Sequence, residues 1–550
     1  MDEQKRLLLA TALSLLVLTV YYLVFPPSPT RPRPSPSPSA LPTVAASAVP
    51  SPTAPASVAP ASAVGDERER RIEVQGPDLT AAFTNRGARL VSWQLARFKD
   101  ARGHPEEMVQ NIPGGPRPLD LDTGDTELDG RLRSALFQAS TETLVLGPGG
   151  GEVVFRYAEG DLEVEKGLRF QPSGYLVSAR ATVRRGGREL ARKILWGPGL
   201  GNPSAGEMEV QGYQAPQAVV LGPAGVERIH ADKIGGTRTV TNARWAGIES
   251  NYFAALWVPP AGAAVELRAI NLPPGEDGKP HVAPEAAVVL EPGLFETLLY
   301  VGPKDHQTLT AADHDLARVV PLGEWIGPIV VALMALLRLV HEHVGNYGWS
   351  IVLLTVVINL VMAPLRHYSI ANGIKMAKLA PEMKVIQDRY RKVPALDPKR
   401  QEMQKEVAAL YERHGMSMGT QMAVGCLPLL LTMPFLIAFY RVLSVSIELR
   451  GAHFLWIPDL SQKDPYFITP VLMGISMFAM QTLTPTGADP AQRRMMMLMP
   501  LMLMGMFLWA PAGLNLYWLA SNLCSLVQQA VTLAILRSRE GAPARERRRR

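Results

Sequence analysis

Apolar positions along this chain follow two patterns. From about residue 344 onward they form long blocks. The stretch 344–365 runs 22 residues without Asp, Glu, Lys or Arg, 416–440 runs 25, 465–488 runs 24 and 495–536 runs 42. A helix needs about 20 such residues to cross roughly 30 Å of hydrocarbon. The last block would make a helix of about 63 Å. Ala510-Pro511-Ala512-Gly513 lies near its middle and can turn the chain, so it reads as two spans. The expected membrane helices are therefore 344–366, 416–445, 465–484, 495–510 and 514–536. A sixth, residues 1–25, carries an uncharged run from Leu7 to Phe25 behind Lys5 and Arg6. It ends Val24-Phe25-Pro26-Pro27, a poor cleavage site, so it reads as a signal anchor; a removed signal is the alternative. Either way the following segment is exported.

Between residues 66 and 318 the pattern alternates instead. Ile72 and Val74, Leu162 and Val164, Leu168 and Phe170, then Tyr175, Val177, Ala179, Ala181 and Val183 recur at period two. Gly-rich breaks at 147–151 and 186–187 separate the runs, and Asn85-Arg86-Gly87 and Gln171-Pro172-Ser173-Gly174 are turn candidates. This predicts antiparallel strands and an all-β sandwich. Residues 26–65 are nearly all Pro, Ala, Ser, Thr and Val and predict a semi-rigid polyproline tether. Residues 319–343 carry Trp325, Ile326, Ile329, Val330, Leu333, Leu336, Leu337, Leu339 and Val340, with Pro328 among them. They predict an amphipathic helix in the membrane interface, a short span being the alternative.

Composition agrees with this division. Charged residues make up 19% of the 550, against about 25% in soluble proteins. The net charge of +6 matters less than its placement. Eleven Lys or Arg lie in 366–414 and seven Arg in the tail 537–550, whereas 446–464 holds only Arg450 and Lys463. The positive-inside rule then places both termini in the cytoplasm and the β domain outside. The segment 367–415 predicts a cytoplasmic helical hairpin: helices over 375–392 and 399–414, broken by Val393-Pro394-Ala395-Leu396-Asp397-Pro398. Met376, Leu379, Met383, Ile386 and Tyr390 share one face of the first, and Met403, Val407 and Leu410 one face of the second. Eighteen of 22 methionines lie between Met362 and Met506. Flexible thioethers suit a surface that meets many apolar helices, and they serve ordinary bundle filling equally well. Two cysteines, Cys426 and Cys524, give no disulfide framework. His341-Glu342-His343 lacks the spacing of a helical metal motif, and no metal site is expected.

The stretch "GCLPLLLTMPFLIAFYRVLSVSIELRGAHFLWIPDLSQKDPYFITPVLMGISMFAMQ" and the phrase "FLWAPAGLNLYWLASNLCSLVQQ" resemble the YidC/Oxa family of membrane insertases. The likeness is strong over about 320–536 and weaker in the exported part, through "LTAAFTNRGARLVSW", "SNYFAALWVPP" and "LYVGP". The order anchor, tether, large domain matches the Gram-negative form. The resemblance implies a five-helix insertase core in the bacterial inner membrane, with no enzymatic reaction and no cofactor. Its groove would open to the cytoplasm and to lipid. Implied partners are nascent membrane proteins, the Sec translocon, the ribosome (through the hairpin and the basic tail) and anionic lipids. Two other classes stay open, a polytopic transporter and a scaffold tethering the exported domain.

Family members carry an Arg inside the second span. In "LLTVVINLVMAPL" the matching position is Asn359, a departure. Arg366 lies seven residues on, about 10 Å along the helix and on nearly the same face. We expect its long side chain, or water, to replace the missing charge in part. Anchoring the helix end is the plainer role. Thr355 matches the family's polar groove residue, and Tyr517 and Trp518 match a paired aromatic site in which Trp518 faces the groove. Packing within the bundle or the interfacial belt would also explain these positions. Asn515, Asn522, Gln528 and Gln529 are polar within one span, with 515, 518, 522 and 529 on one stripe. Thr432 and Gln481 are further candidates. Arg547 to Arg550 can contact ribosomal RNA or anionic lipid.

Overall fold

The computed structural model describes residues 63–546, apart from 101, 111, 113–114, 202–207, 210–212, 274–280, 324, 391–392, 395–396, 415–432 and 484–489. The expected anchor, residues 26–62 of the expected tether, Cys426, Thr432 and the terminal arginines lie outside the described residues. The described residues divide into two compact units, those within 375–414 and those within 63–374 and 433–546.

In the larger unit, alternation becomes strands as expected. Leu162–Phe170 pairs antiparallel with Leu176–Arg185, Phe170 opposite Val177, across the Pro172-containing turn. Arg185 is followed by Gly186 and Gly187 at φ 57° and 75°. Two successive positive φ angles make a tight reversal whose twist suits a hairpin, and glycine adopts them without steric cost. A ten-stranded sheet and two five-stranded sheets result. One pairing departs from the antiparallel expectation: Arg71–Gln75 lies parallel to Thr143–Val145. These two strands are about 70 residues apart in sequence, so no hairpin constrains their direction. The sheets enclose one apolar core in which Trp93, Trp196, Trp245 and Trp257 are fully buried. Trp93 meets Trp196 edge-on at 6.2 Å. Val445 and Ile447, from beyond the β domain in sequence, belong to the same core.

Among the described residues the helices are α1 (Thr126–Ser134), α2 (His306–Ala311), α3 (Gly327–Val344), α4 (Tyr347–Arg389), α5 (Lys399–Arg413), α6 (Met433–Val445), α7 (Ile468–Leu483), α8 (Pro490–Phe507) and α9 (Ala512–Glu546). α3, α4 and the stretch Ala512–Leu536 of α9 are long and apolar enough to cross a membrane; Met433–Val445, Ile468–Leu483 and Met495–Phe507 are shorter apolar helices. α3 buries Val330, Leu333, Met334 and Leu337, the spacing of one helical face. Those side chains join a second apolar core with Ile351 and Leu354 of α4, Phe439 and Val442 of α6, Met473 and Met477 of α7, Phe507 of α8 and Leu514 and Leu516 of α9.

The 43-residue α4 differs from the expectation of separate helices at 344–366 and 375–392. The connecting residues contain Gly373 alone as a breaker, and one glycine costs only about 1 kcal/mol in a helix. In the smaller unit the C-terminal part of α4 pairs with α5. Arg389 lies 3.0 Å from Glu406, which also accepts from the Tyr390 hydroxyl at 3.0 Å.

Two arginines fasten the β domain to the apolar helices. Arg338 of α3 donates from Nε to Glu448 at 2.6 Å and from Nη2 to Asp305 at 2.5 Å. Arg450 pairs with Glu106 at 2.8 Å, donates to the Lys99 carbonyl at 3.0 Å and lies 5.3 Å from the centre of the Phe253 ring. Both pairs are largely shielded from solvent, where loss of one partner leaves an uncompensated charge.

Candidate functional site

The apolar helices are inverted relative to a water-soluble bundle. Leu353, Val357, Leu360 and Val361 of α4 face outward, as do Ile475 and Phe478 of α7, Leu498, Leu501 and Met502 of α8, and Leu523, Val527 and Val531 of α9. Ser350, Thr355, Asn359, Ser476, Asn515, Asn522, Gln529 and Thr532 are buried. A continuous exposed apolar surface of this kind needs lipid around it. Polar groups then collect in the interior, where they find one another instead of hydrocarbon.

On α9 the buried polar positions 515, 522 and 529 recur every seven residues, two helical turns, and form a column. Asn522 donates to the Ser476 hydroxyl of α7 at 3.0 Å. Asn515 donates to the Phe507 carbonyl at 3.2 Å, while its Oδ1 is buried without a hydrogen-bond partner among the described residues. Gln528 donates to the Ala363 carbonyl of α4 at 2.6 Å, and the Thr532 hydroxyl lies 3.0 Å from Nδ1 of His367. Gln481 of α7 donates to the Met496 carbonyl of α8 at 2.6 Å.

On α4, Thr355 donates to the Ile351 carbonyl at 2.6 Å and Asn359 to the Thr355 carbonyl at 2.7 Å. Both side chains thus bond their own helix, one turn back. Asn359 keeps Oδ1 for another donor. That donor is Arg366, whose Nη1 lies 2.6 Å from Asn359 Oδ1 and 2.6 Å from the Ser525 hydroxyl of α9. The guanidinium therefore sits up the helix from its own Cα, between α4 and α9. Nε and Nη2 make no hydrogen bond among the described residues, so two edges of the fork stay free for an anion.

The aromatic pair separates. Tyr517 stacks on Phe439 of α6 at 4.2 Å, and Trp518 meets Phe507 of α8 edge-on at 4.9 Å. Both are half-buried and packed against the bundle core. Ser525, Ser476 and His367 were not singled out from the sequence. Ser525 is three residues beyond Asn522 and four before Gln529, which puts it on the same face and was the available signal. His341 stacks on Tyr347 at 3.6 Å, and His343 Nδ1 lies 2.8 Å from the Leu339 carbonyl. Among the described residues no cluster of His, Cys, Asp or Glu is placed to hold a metal.

Family comparison agrees over nearly the whole length. The YidC periplasmic domain family matches residues 71–349 and the 60Kd inner membrane protein family residues 339–539. The chain belongs to the YidC family of membrane protein insertases. It is similar to the membrane protein insertase YidC of Geobacter metallireducens, 31% identical over 96% of this chain and 98% of that one. The Syntrophus aciditrophicus and Campylobacter jejuni YidC proteins are 30% and 28% identical, each over 96% of this chain and over 98% and 96% of their own lengths. A crystal structure of an active YidC insertase covers 86% of this chain and 94% of its own, at 17% identity and TM-score 0.35. In a YidC chain the sandwich is the periplasmic domain, and the inverted bundle is its part within the inner membrane.

Proposed function

We propose that this bundle inserts nascent membrane proteins by passing a short polar segment along the column between α4 and α9, while the attached apolar helix leaves sideways into lipid. The observation that supports this most directly is the Arg366 guanidinium, held at Asn359 and Ser525 with two free edges. A charged side chain costs about 2.5–3.5 kcal/mol at mid-bilayer on insertion scales. A positive group beside hydrogen-bonding side chains offsets part of that cost for an acidic exported segment. The described part of α7 rises only about 24 Å over its 16 residues. That is shorter than a typical hydrocarbon core and favours local thinning. The entering helix supplies the driving force, at about 0.8 kcal/mol per buried CH₂.

In this account both termini and the α4–α5 hairpin lie in the cytoplasm, as their Lys and Arg content favours. The hairpin and basic tail then meet the ribosome and anionic lipid, and the Sec translocon receives larger clients. Reconstitution in liposomes tests the activity. The purified chain should carry the exported tail of a small single-span protein to a protease-protected lumen. A transporter or a tethering scaffold would leave that tail accessible, and such a result ends the proposal.

A further inference from the structure

A cavity of about 500 Å³ lies where the periplasmic domain meets the adjacent ends of the membrane helices, within the roughly 300–1,000 Å³ typical of binding sites. One wall consists of periplasmic loops with Tyr213, Gln214, Asn251 and Tyr252. The other carries Tyr440, Arg441 and Ser444 from the last turns of α6. Its floor includes Gln462 and Pro511. The Gln462 carbonyl accepts from the amide of Ala512, the first residue of α9, at 2.7 Å. One turn further along α9 is Asn515, whose Oδ1 is buried and unpartnered among the described residues. The polar column of α9 therefore ends beneath this cavity.

Resting on the insertase reading above, we infer that the cavity is an exit vestibule that receives the unfolded exported segment of the client as it leaves the column. Tyrosines with Asn, Gln and Ser side chains contact varied sequences adaptably, as a site without a fixed client requires. Of the cations in the wall, Lys304 is paired with Glu249 and Arg450 with Glu106. Arg441 is exposed and has no partner among the described residues. The vestibule thus offers an open positive charge at Arg441. Exported segments are poor in Lys and Arg, so neutral and acidic chain fits this site.

The test uses the full chain in membranes with stalled single-span clients of increasing length. A photo-reactive residue replaces Gln214, Ser444 or Trp518 in turn. The expected result is adducts to the exported tail from Trp518 at short lengths and from both vestibule positions at longer ones. Adducts from Trp518 alone, or only lipid adducts at 214 and 444, overturn the vestibule and leave the insertase reading standing. Absence of client adducts at all three positions overturns both. As a second arm, Arg441→Glu should lower adduct yield at Gln214 about two- to five-fold for a tail carrying Asp, the range of one exposed ion pair, and should not lower it for a Lys-bearing tail. Equal losses for both tails overturn the assignment.

Discussion

Arg366→Ala removes a cation placed on the polar column and leaves the helix otherwise intact, because the side chain is half-buried and among the described residues bonds Asn359 and Ser525 alone. Coulomb attraction between Arg366 and a client carboxylate 4 Å away is about 1 kcal/mol in water and about 4 kcal/mol at a near-surface effective dielectric. The half-buried position lies between these limits. We take about 2 kcal/mol, or roughly 30-fold in rate. The assay is single-turnover insertion into proteoliposomes of paired clients, identical except for Asp or Asn in the exported tail. The variant should insert the Asp client about 30-fold more slowly and the Asn client at nearly the original rate. Arg366→Lys should recover part of the loss, since an ammonium keeps the charge but lacks the planar fork. Equal slowing of both clients, or none, refutes the electrostatic role, and melting in detergent identifies a folding defect.

Three further outcomes follow from the periplasmic domain and the bundle core. Burial pushes the Glu285 carboxyl up to about 7. The folded state therefore keeps a proton that the unfolded chain releases near pH 4.5, and stability falls as pH rises from about 4.5 to 7. Glu285→Gln should flatten that dependence and gain about 3 kcal/mol at pH 8, read as a rise in the tryptophan-fluorescence melt of the full chain; an unchanged slope refutes it. A Cβ at Gly348 would lie 2.1 Å from the Phe454 ring, which is buried and edge-on to Trp349. Gly348→Ala should therefore lower detergent stability by about 1–3 kcal/mol; a variant as stable as the parent refutes that close approach. Asp464 is buried and accepts from the Trp456 indole and Tyr466 amide and from both the amide and hydroxyl of Thr469 at the start of α7. Asp464→Ala should cost about 2–3 kcal/mol and Asp464→Asn less; equal melting of both refutes the hydrogen-bond account.

Much of the architecture was legible because it depends on local periodicity. Alternation at Leu162 to Val183 requires a strand with one buried face, and uncharged blocks such as 344–365 require an apolar solvent. The column on α9 was legible for the same reason: seven-residue spacing of 515, 522 and 529 is a property of one helix. Contacts between distant segments were not. Nothing in the sequence places Ser525 beside Arg366, 159 residues away, or couples Glu106 to Arg450. The parallel pairing of Arg71–Gln75 with Thr143–Val145 was invisible because strand direction depends on the intervening path. The hydroxyl of Thr355 donates to its own backbone, a bond that the type of residue alone does not announce. Thr432 lies outside the described residues.

The crossed hydrogen bonds between α4, α7 and α9 also bear on how this protein itself is made. Asn522 and Gln528 find partners on other helices, and Arg366 joins Asn359 of its own helix to Ser525 of another; these helices are synthesised at widely separated times. Until the last of them emerges from the ribosome, each earlier segment carries amides and a cation that hydrocarbon solvates poorly. Biogenesis of the machine thus poses the problem it handles for others, and pre-existing copies are natural midwives for new ones.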